Sequence, residues 1–228
     1  MRVGNAILDV FFPRPCPGCG GLCGLGSQTV LCEGCDASVS ILPRALGMEH
    51  PQYVEESLGG LWMLGDYDGP LGALLRHGKY RKNLWFVREV GLRMAMAGQG
   101  RLPTVDMVTN VPIPLSRKMT RGFDQGEVLA RSVARALGVP WEPLLFRHHI
   151  SETARMGREG RKEQARRSYR IQPRVERTPR KPPGRVLLVD DVVTTGATMQ
   201  ACADELLGTG VERVFGYCGA FRRSVPVL

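Results

Sequence analysis

The sequence predicts an α/β fold with a mainly parallel sheet, preceded by a small cysteine-rich module. Apolar runs of strand length alternate with stretches whose apolar residues recur at helical spacing. The strand runs are apolar on both faces, as strands covered by helices on each side must be. Residues 1–45, by contrast, are rich in Cys, Gly and Pro and hold too few apolar residues to close a core alone. The 228 residues accommodate one ordinary domain plus an accessory module, so the expected division is 1–45 and 46–228.

The elements follow in order. Leu61 to Tyr67 reads as a strand and Leu71 to His77 as a short helix. Leu84, Val87, Gly91, Leu92 and Ala95 mark one face of a helix from Leu84 to Met96. Asp106 to Val111 reads as a strand that ends in Pro112-Ile113-Pro114. A helix from Asp124 to Leu137 is closed by Gly138, with Pro140 beyond it. Arg155 to Arg167 lacks an apolar stripe and reads as a long polar loop, and Pro179 to Gly184 as a connector. Arg185 to Val189 is the expected buried strand, Gly196 to Leu207 a helix, and Arg213 to Phe221 a last strand.

A hydrophobic content of 43% with 23% charged residues excludes wholesale disorder. The net charge is +9, and Arg147 to Arg185 alone holds 13 Lys/Arg against 4 Asp/Glu, the whole of that excess. Such a segment either meets a polyanion (diphosphate, nucleic acid) or is a solvated Arg-rich loop. No run approaches the roughly 20 apolar residues that span a bilayer. Ala6 to Phe12 is short, contains Asp9 and offers no small-residue cleavage site, so no secretory signal is read there. The expectation is a cytoplasmic protein without membrane insertion.

The chemistry concentrates in Val186-Leu187-Leu188-Val189-Asp190-Asp191-Val192-Val193-Thr194-Thr195-Gly196-Ala197-Thr198. A loop at the carboxyl end of a parallel strand opens onto the ligand crevice of an α/β sheet. Gly196 allows close approach of the backbone, and its amides together with a helix N-terminus favour an anion such as phosphate. The hydroxyls of Thr194, Thr195 and Thr198 add donors. Asp190 and Asp191 repel phosphate but accept hydrogen bonds from a vicinal diol, so ribose with a 5′-phosphate fits both halves. The bland alternative, acids that merely cap a helix, leaves two carboxylates costly at the end of a buried strand.

Seven cysteines include Cys16-Pro17-Gly18-Cys19 and Cys32-Glu33-Gly34-Cys35, a C-x2-C-x12-C-x2-C pattern. Cys16, Cys19, Cys32 and Cys35 supply the four thiolates of a structural Zn2+ site; free thiols or a redox pair are the alternative. Cys23 either competes with Cys19 or stays free, and Cys202 and Cys218 fall in the expected core. Arg117, Lys118 and Arg121 follow the proline turn and either face a diphosphate or form a basic helix start. Lys79, in Lys79-Tyr80-Arg81-Lys82, either joins them or lies on a solvated turn. Trp62, Tyr80 and Trp85 are either stacking groups or core.

The segment from Val186 to Thr198 resembles the signature of type I phosphoribosyltransferases at its hydrophobic, acidic and Thr-Gly positions. The resemblance implies a parallel-sheet domain of that type in which Asp190 and Asp191 hold the ribose hydroxyls. It further implies that Thr194, Thr195, Gly196, Ala197 and Thr198 hold the 5′-phosphate, and that Mg2+ supports the diphosphate. The order of motifs resembles the ComF family over nearly the whole chain: the paired cysteines, Tyr67…Pro70-Leu71…Lys79-Tyr80-Arg81, Val111-Pro112-Ile113-Pro114, Arg121-Gly122-Phe123, a basic loop, then the acidic Thr-Gly segment. That family joins a zinc finger to a phosphoribosyltransferase domain and serves DNA uptake in competent bacteria. The resemblance therefore implies phosphoribosyl diphosphate, single-stranded DNA and competence-machinery proteins as partners, with an active transferase for an unidentified base or amine as the alternative.

The chain departs from the family at two places. Asp124 stands where the family commonly has Asn, which adds a carboxylate near the anion site expected at Arg121. In the flexible basic loop expected near 147–167, Thr153 is followed by Ala154-Arg155-Met156 in place of Thr-x-x-Gln, and Arg167-Ser168-Tyr169 replaces an Asn before Gly-Ala-Phe. Transfer chemistry that needs this loop to close is accordingly not implied.

Overall fold

The computed structural model describes residues 12–24, 29–39, 44–45, 57–80, 83–148, 167–176 and 181–223. After a one-and-a-half-turn helix, Glu33–Ser38 (α1), and a two-residue strand, Arg44–Ala45 (β1), the chain alternates as its apolar pattern requires. Leu61–Asp66 (β2) leads to Pro70–Tyr80 (α2) and Leu84–Gly98 (α3), then Met107–Asn110 (β3), Leu115–Arg121 (α4) and Gln125–Leu137 (α5). Leu145–Arg147 (β4) and Tyr169–Ile171 (β5) pair antiparallel apart from the main sheet, followed by Pro173–Glu176 (α6). Arg185–Val193 (β6), Ala197–Leu207 (α7) and Arg213–Phe221 (β7) complete the order.

The main sheet runs β1-β2-β7-β6-β3, with only β1 antiparallel. Alternation along β6 sends Leu187 and Val189 to one face and Val186 and Leu188 to the other, and all four are fully buried. The first pair packs with Val90, Met94, Leu129 and Val133 of α3 and α5; the second packs with Met199, Cys202 and Leu206 of α7. Each such side chain contributes about 1.5–3 kcal/mol through burial. Cys218 on β7 and Cys202 on α7 lie in this second core, both at 0% exposure.

The cysteine-rich module does not stand apart. Cys16, Cys23, Val30, Leu31 and Val39 share one core with Leu64, Leu71 and Leu74. A Cβ on Gly18 would lie 3.0 Å from both the Pro70 Cβ and the Cys35 Sγ, so the first knuckle rests on the start of α2. Arg93 of α3 pairs with Glu89 at 2.8 Å and also with Asp36 of α1.

Several elements differ from the sequence expectation. The helix at Leu71–His77 extends to Pro70–Tyr80, and that at Leu84–Met96 runs on to Gly98, begun by Asn83, whose side chain accepts from the Trp85 amide. β6 does not stop at Val189 but continues to Val193, because β7 keeps supplying partners beyond the end of β3. α4 lies on a stretch too basic to show an apolar stripe and has no buried residue. The expected basic loop starts as strand β4, while 149–166, including Thr153 to Met156, lies outside the described residues.

Candidate functional site

β3 pairs with β6 as far as Asn110 opposite Val189, whereas β6 continues alongside β7 with Asp190 opposite Cys218 and Val193 opposite Phe221. Asp190 and Asp191 therefore lie within the strand, on a stretch with no β3 strand partner. The Asp191 amide donates to the Asp190 Oδ1 and the Val192 amide to the Asp191 Oδ1, each at 2.8 Å. Both residues are half-buried by exposed area. The Asp190 carboxyl is nevertheless enclosed closely enough that desolvation, followed by the Asp191 charge, raises it well above the usual carboxylate range. A close acidic pair of this kind fits a ligand that brings hydroxyl donors or a cation such as Mg2+.

Thr194 and Thr195 turn the chain into Gly196, whose φ of +76° is left-handed and open to glycine. α7 then begins without a side-chain cap, so its first amides point toward the turn with no side-chain acceptor. Asp190 and the run Val192–Met199 enclose a 40 Å³ hollow, room for one small group at the helix N-terminus.

Three of the expected cations, Arg117, Lys118 and Arg121, lie on α4 after β3, and the fourth, Lys79, lies on α2. Lys118 pairs with Glu127 at 2.9 Å, and Arg131 holds the same carboxylate at 3.1 Å. Arg117 is exposed on α4, and Arg121 is half-buried at its end, before Gly122 with φ +83°. Lys79 is half-buried near the end of α2, its Nζ 5.7 Å from the Tyr80 ring centroid. That helix is tied to the start of α5, where the Gln125 side chain donates to the Leu75 carbonyl at 3.2 Å. The Gln125 Oε1 is buried without a partner among the described residues.

Asp124 behaves differently from the expectation of a stray carboxylate beside Arg121. It is 5% exposed; its Oδ1 accepts from the Glu127 amide and its Oδ2 from the Ile113 amide, both at 3.3 Å. It is thus the N-cap of α5 and a clasp on the proline turn. Burial comes first among the influences on its carboxyl and holds it above the usual range. The Asp124-x-x-Glu127 spacing is a helix-start signature that could have revealed this. Sequence reasoning also passed over Arg147 as an individual residue. Its guanidinium lies 5.4 Å from the buried Tyr169 ring and lines, with Pro112, Ile113, Lys118 and Phe146, a 360 Å³ groove.

The Sγ atoms of Cys16, Cys19, Cys32 and Cys35 all lie within 4.8 Å of one another, with Cys19 and Cys32 at 3.7 Å. Tetrahedral Zn–S bonds of about 2.3 Å place sulfurs about 3.8 Å apart, so these four fit a metal such as zinc. Gly20 at φ +77° makes the first knuckle, and the Gly20 amide donates to the Cys16 carbonyl at 2.8 Å. Desolvation pushes the Cys16 thiol up, but amide donors from Cys32, Cys19 and Gly18 outweigh it and bring it down to about 6. Cys23 is outside this cluster, buried, with its Sγ 3.9 Å from the Val30 carbonyl.

Residues 124–224 match the family described as phosphoribosyl transferase domain. Competence protein F of Haemophilus influenzae is 25% identical over 222 residues, covering 90% of this chain and 95% of that protein. DNA utilization protein YhgH of Salmonella typhi is 28% identical over 169 residues, 68% of this chain and 69% of the relative. The chain is ComF-like. YhgH of Escherichia coli is similar in extent, 26% identical over 213 residues that cover 87% and 89% of the two chains. A solved adenine phosphoribosyl transferase from Trypanosoma brucei is 12% identical with a TM-score of 0.42, covering 79% and 87% of the two chains.

In this ComF-like chain the domain match runs from the Asp124 cap through β7, while the four cysteines precede it. Of the three aromatics considered for stacking, Trp62 is half-buried against Phe215, ring centroids 6.0 Å apart. Tyr80 and Trp85 are exposed. Among the described residues no helix is long and apolar enough to cross a membrane.

Proposed function

We propose that the chain binds phosphoribosyl diphosphate with Mg2+ at the end of β6 and handles single-stranded DNA during uptake, in the cytoplasm, in contact with competence-machinery proteins. The observation that carries this reading is the hollow that Asp190 lines together with the uncapped Thr194–Thr198 turn, with Asp191 next to it on the strand. Asp190 and Asp191 accept from the ribose 2′- and 3′-hydroxyls, and the Thr194, Thr195 and Thr198 hydroxyls with the Gly196–Thr198 amides hold the 5′-phosphate. Lys79, Arg117, Lys118 and Arg121 face the diphosphate. Magnesium, when bound, neutralises diphosphate charge and so favours its departure.

Zinc on Cys16, Cys19, Cys32 and Cys35 is structural in this reading, since four thiolates leave no open position. The names of the relatives, competence protein F and DNA utilization protein, support the DNA role, as does the basic segment from Arg147 to Arg185. Calorimetry with phosphoribosyl diphosphate, with and without Mg2+, tests the ligand; Asp190→Asn with Asp191→Asn should abolish the binding heat. An unchanged affinity in that double variant refutes the assignment. Single-stranded DNA binding on the same sample should weaken steeply with salt.

The second reading is a transferase. The altered positions after Thr153 count against loop closure, whereas the 360 Å³ groove lined by Pro112, Ile113, Lys118, Phe146 and Arg147 offers space for an acceptor. Release of diphosphate on adding a base or amine would establish it.

A further inference from the structure

The ends of three strands are flush. Val193 of β6 lies opposite Phe221 of β7, and Phe221 opposite Asp66 of β2. The row beyond them continues by backbone bonds: the Arg222 amide donates to the Val193 carbonyl and the Tyr67 amide to the Phe221 carbonyl, both at 2.9 Å. Thr194, Arg222 and Tyr67 are therefore the residues that directly follow three aligned strand ends at the carboxyl edge.

Tyr67 gathers two cations. The Arg222 guanidinium lies 5.4 Å from its ring centroid and that of Arg76, one helix over on α2, lies 5.1 Å from it. An Arg76 Nη1–H also donates to the Tyr67 carbonyl at 3.4 Å. The position of α2 is dictated by Gly72, where a Cβ would come within 1.7 Å of the same carbonyl oxygen. Among the described residues neither guanidinium forms an ion pair with a carboxylate; Asp66 and Asp68 beside Tyr67 are exposed. Two like charges held on one ring repel each other, and the face of the ring only partly offsets this. An anion near either guanidinium relieves the repulsion, and guanidinium N–H groups are frequent partners of phosphate oxygens.

We infer that Tyr67, Arg76 and Arg222 form a contact site for the backbone phosphates of single-stranded DNA, next to the phosphoribosyl loop. Cations interleaved with an aromatic ring are the chemistry that follows such a strand. The inference rests on the DNA-handling reading above and gives it an address other than the basic segment after Arg147. Because Arg222 is bonded to Val193, the residue before Thr194, a strand seated here crowds the loop, and the two ligands weaken each other.

The test uses the full chain with its metal, a fluorescein-labelled oligo-dT, and anisotropy at several salt concentrations. Arg76→Gln with Arg222→Gln should weaken oligo-dT binding by about tenfold or more at moderate salt. The slope of log K against log salt should become shallower by about 1.4, the value for two lost single-strand phosphate contacts. Tyr67→Leu, which removes the ring that holds both guanidiniums, should weaken oligo-dT binding as well, and wild-type affinity in it excludes the ring from the contact. Calorimetry with phosphoribosyl diphosphate in the absence of DNA should be unchanged, showing that the variants are folded. In wild type, adding that ligand should raise the oligo-dT dissociation constant. Wild-type affinity and slope in the double Gln variant overturn this inference and leave the DNA reading intact. If wild type does not bind oligo-dT at all, the DNA reading itself fails and the inference with it.

Discussion

Asp124→Ala removes two hydrogen bonds from a residue that is 5% exposed. The Glu127 amide loses its cap, which costs about 1 kcal/mol within a range of about 0.5–2. The Ile113 amide, half-buried in the proline turn, loses its acceptor at about 1–3 kcal/mol. Releasing a carboxyl that burial already disfavours offsets part of this, so the net loss should be about 2–4 kcal/mol. For a chain of this size that lowers the melting temperature by roughly 4–16 °C, measurable by circular dichroism at pH 7. Asp124→Asn keeps one acceptor and should fall between wild type and Ala. Because Ile113 belongs to the turn that leads into Lys118, calorimetry should also show weaker phosphoribosyl diphosphate binding in the Ala variant. An Ala variant that melts within a degree or so of wild type, or an Asn variant as damaged as Ala, refutes the clasp.

The other expectations concern charge, metal and packing. Asp190 is raised in the folded state, so the fold holds a proton that the unfolded carboxyl loses above about pH 4. Stability from this group is therefore fully present below that pH and declines as pH rises toward the folded value. Asp190→Asn should melt higher than wild type at pH 7 while losing the phosphoribosyl ligand; a lower melting point at pH 7 contradicts the assigned direction. Cys32→Ser should reduce metal content below one zinc per chain by plasma mass spectrometry, and full retention removes Cys32 from the ligand set. Gly72→Ala drives a Cβ into the Tyr67 carbonyl and should cost about 1–3 kcal/mol or more, read as a lower denaturant midpoint. Lys118→Ala breaks an exposed pair with Glu127 and should change stability by less than about 1 kcal/mol, yet weaken diphosphate binding in calorimetry.

The main strands and helices were legible because burial on both faces leaves a signal along the chain itself. Arg213–Phe221 is apolar or small at every position after the first, and it forms one strand over those residues. The doubled CxxC was equally plain, since knuckle geometry is local to each pair. What escaped depends on partners distant in sequence. The extension of β6 through Asp190 to Val193 is decided by β7, not by its own residues. β4 and β5 are three residues each and stand on either side of a long insertion, so neither shows a period. Asp124 resembled an intruder on an anion site because the amide of Ile113, eleven residues back, is not visible from sequence spacing.

The contact of Gly18 with Pro70 and the core shared by Leu31 and Leu71 bear on how the protein comes apart. A chain begun at residue 46 would leave Leu64, Leu71 and Leu74 without their cover and should associate through them. Heating the whole protein should give one transition rather than a cysteine module that melts ahead of the α/β sheet. Its midpoint should follow metal occupancy, because a ligand that binds only the folded state stabilises everything that folds with it. A chelator would then act as a remote control on α2, and through its first turn on the guanidinium pair at Tyr67.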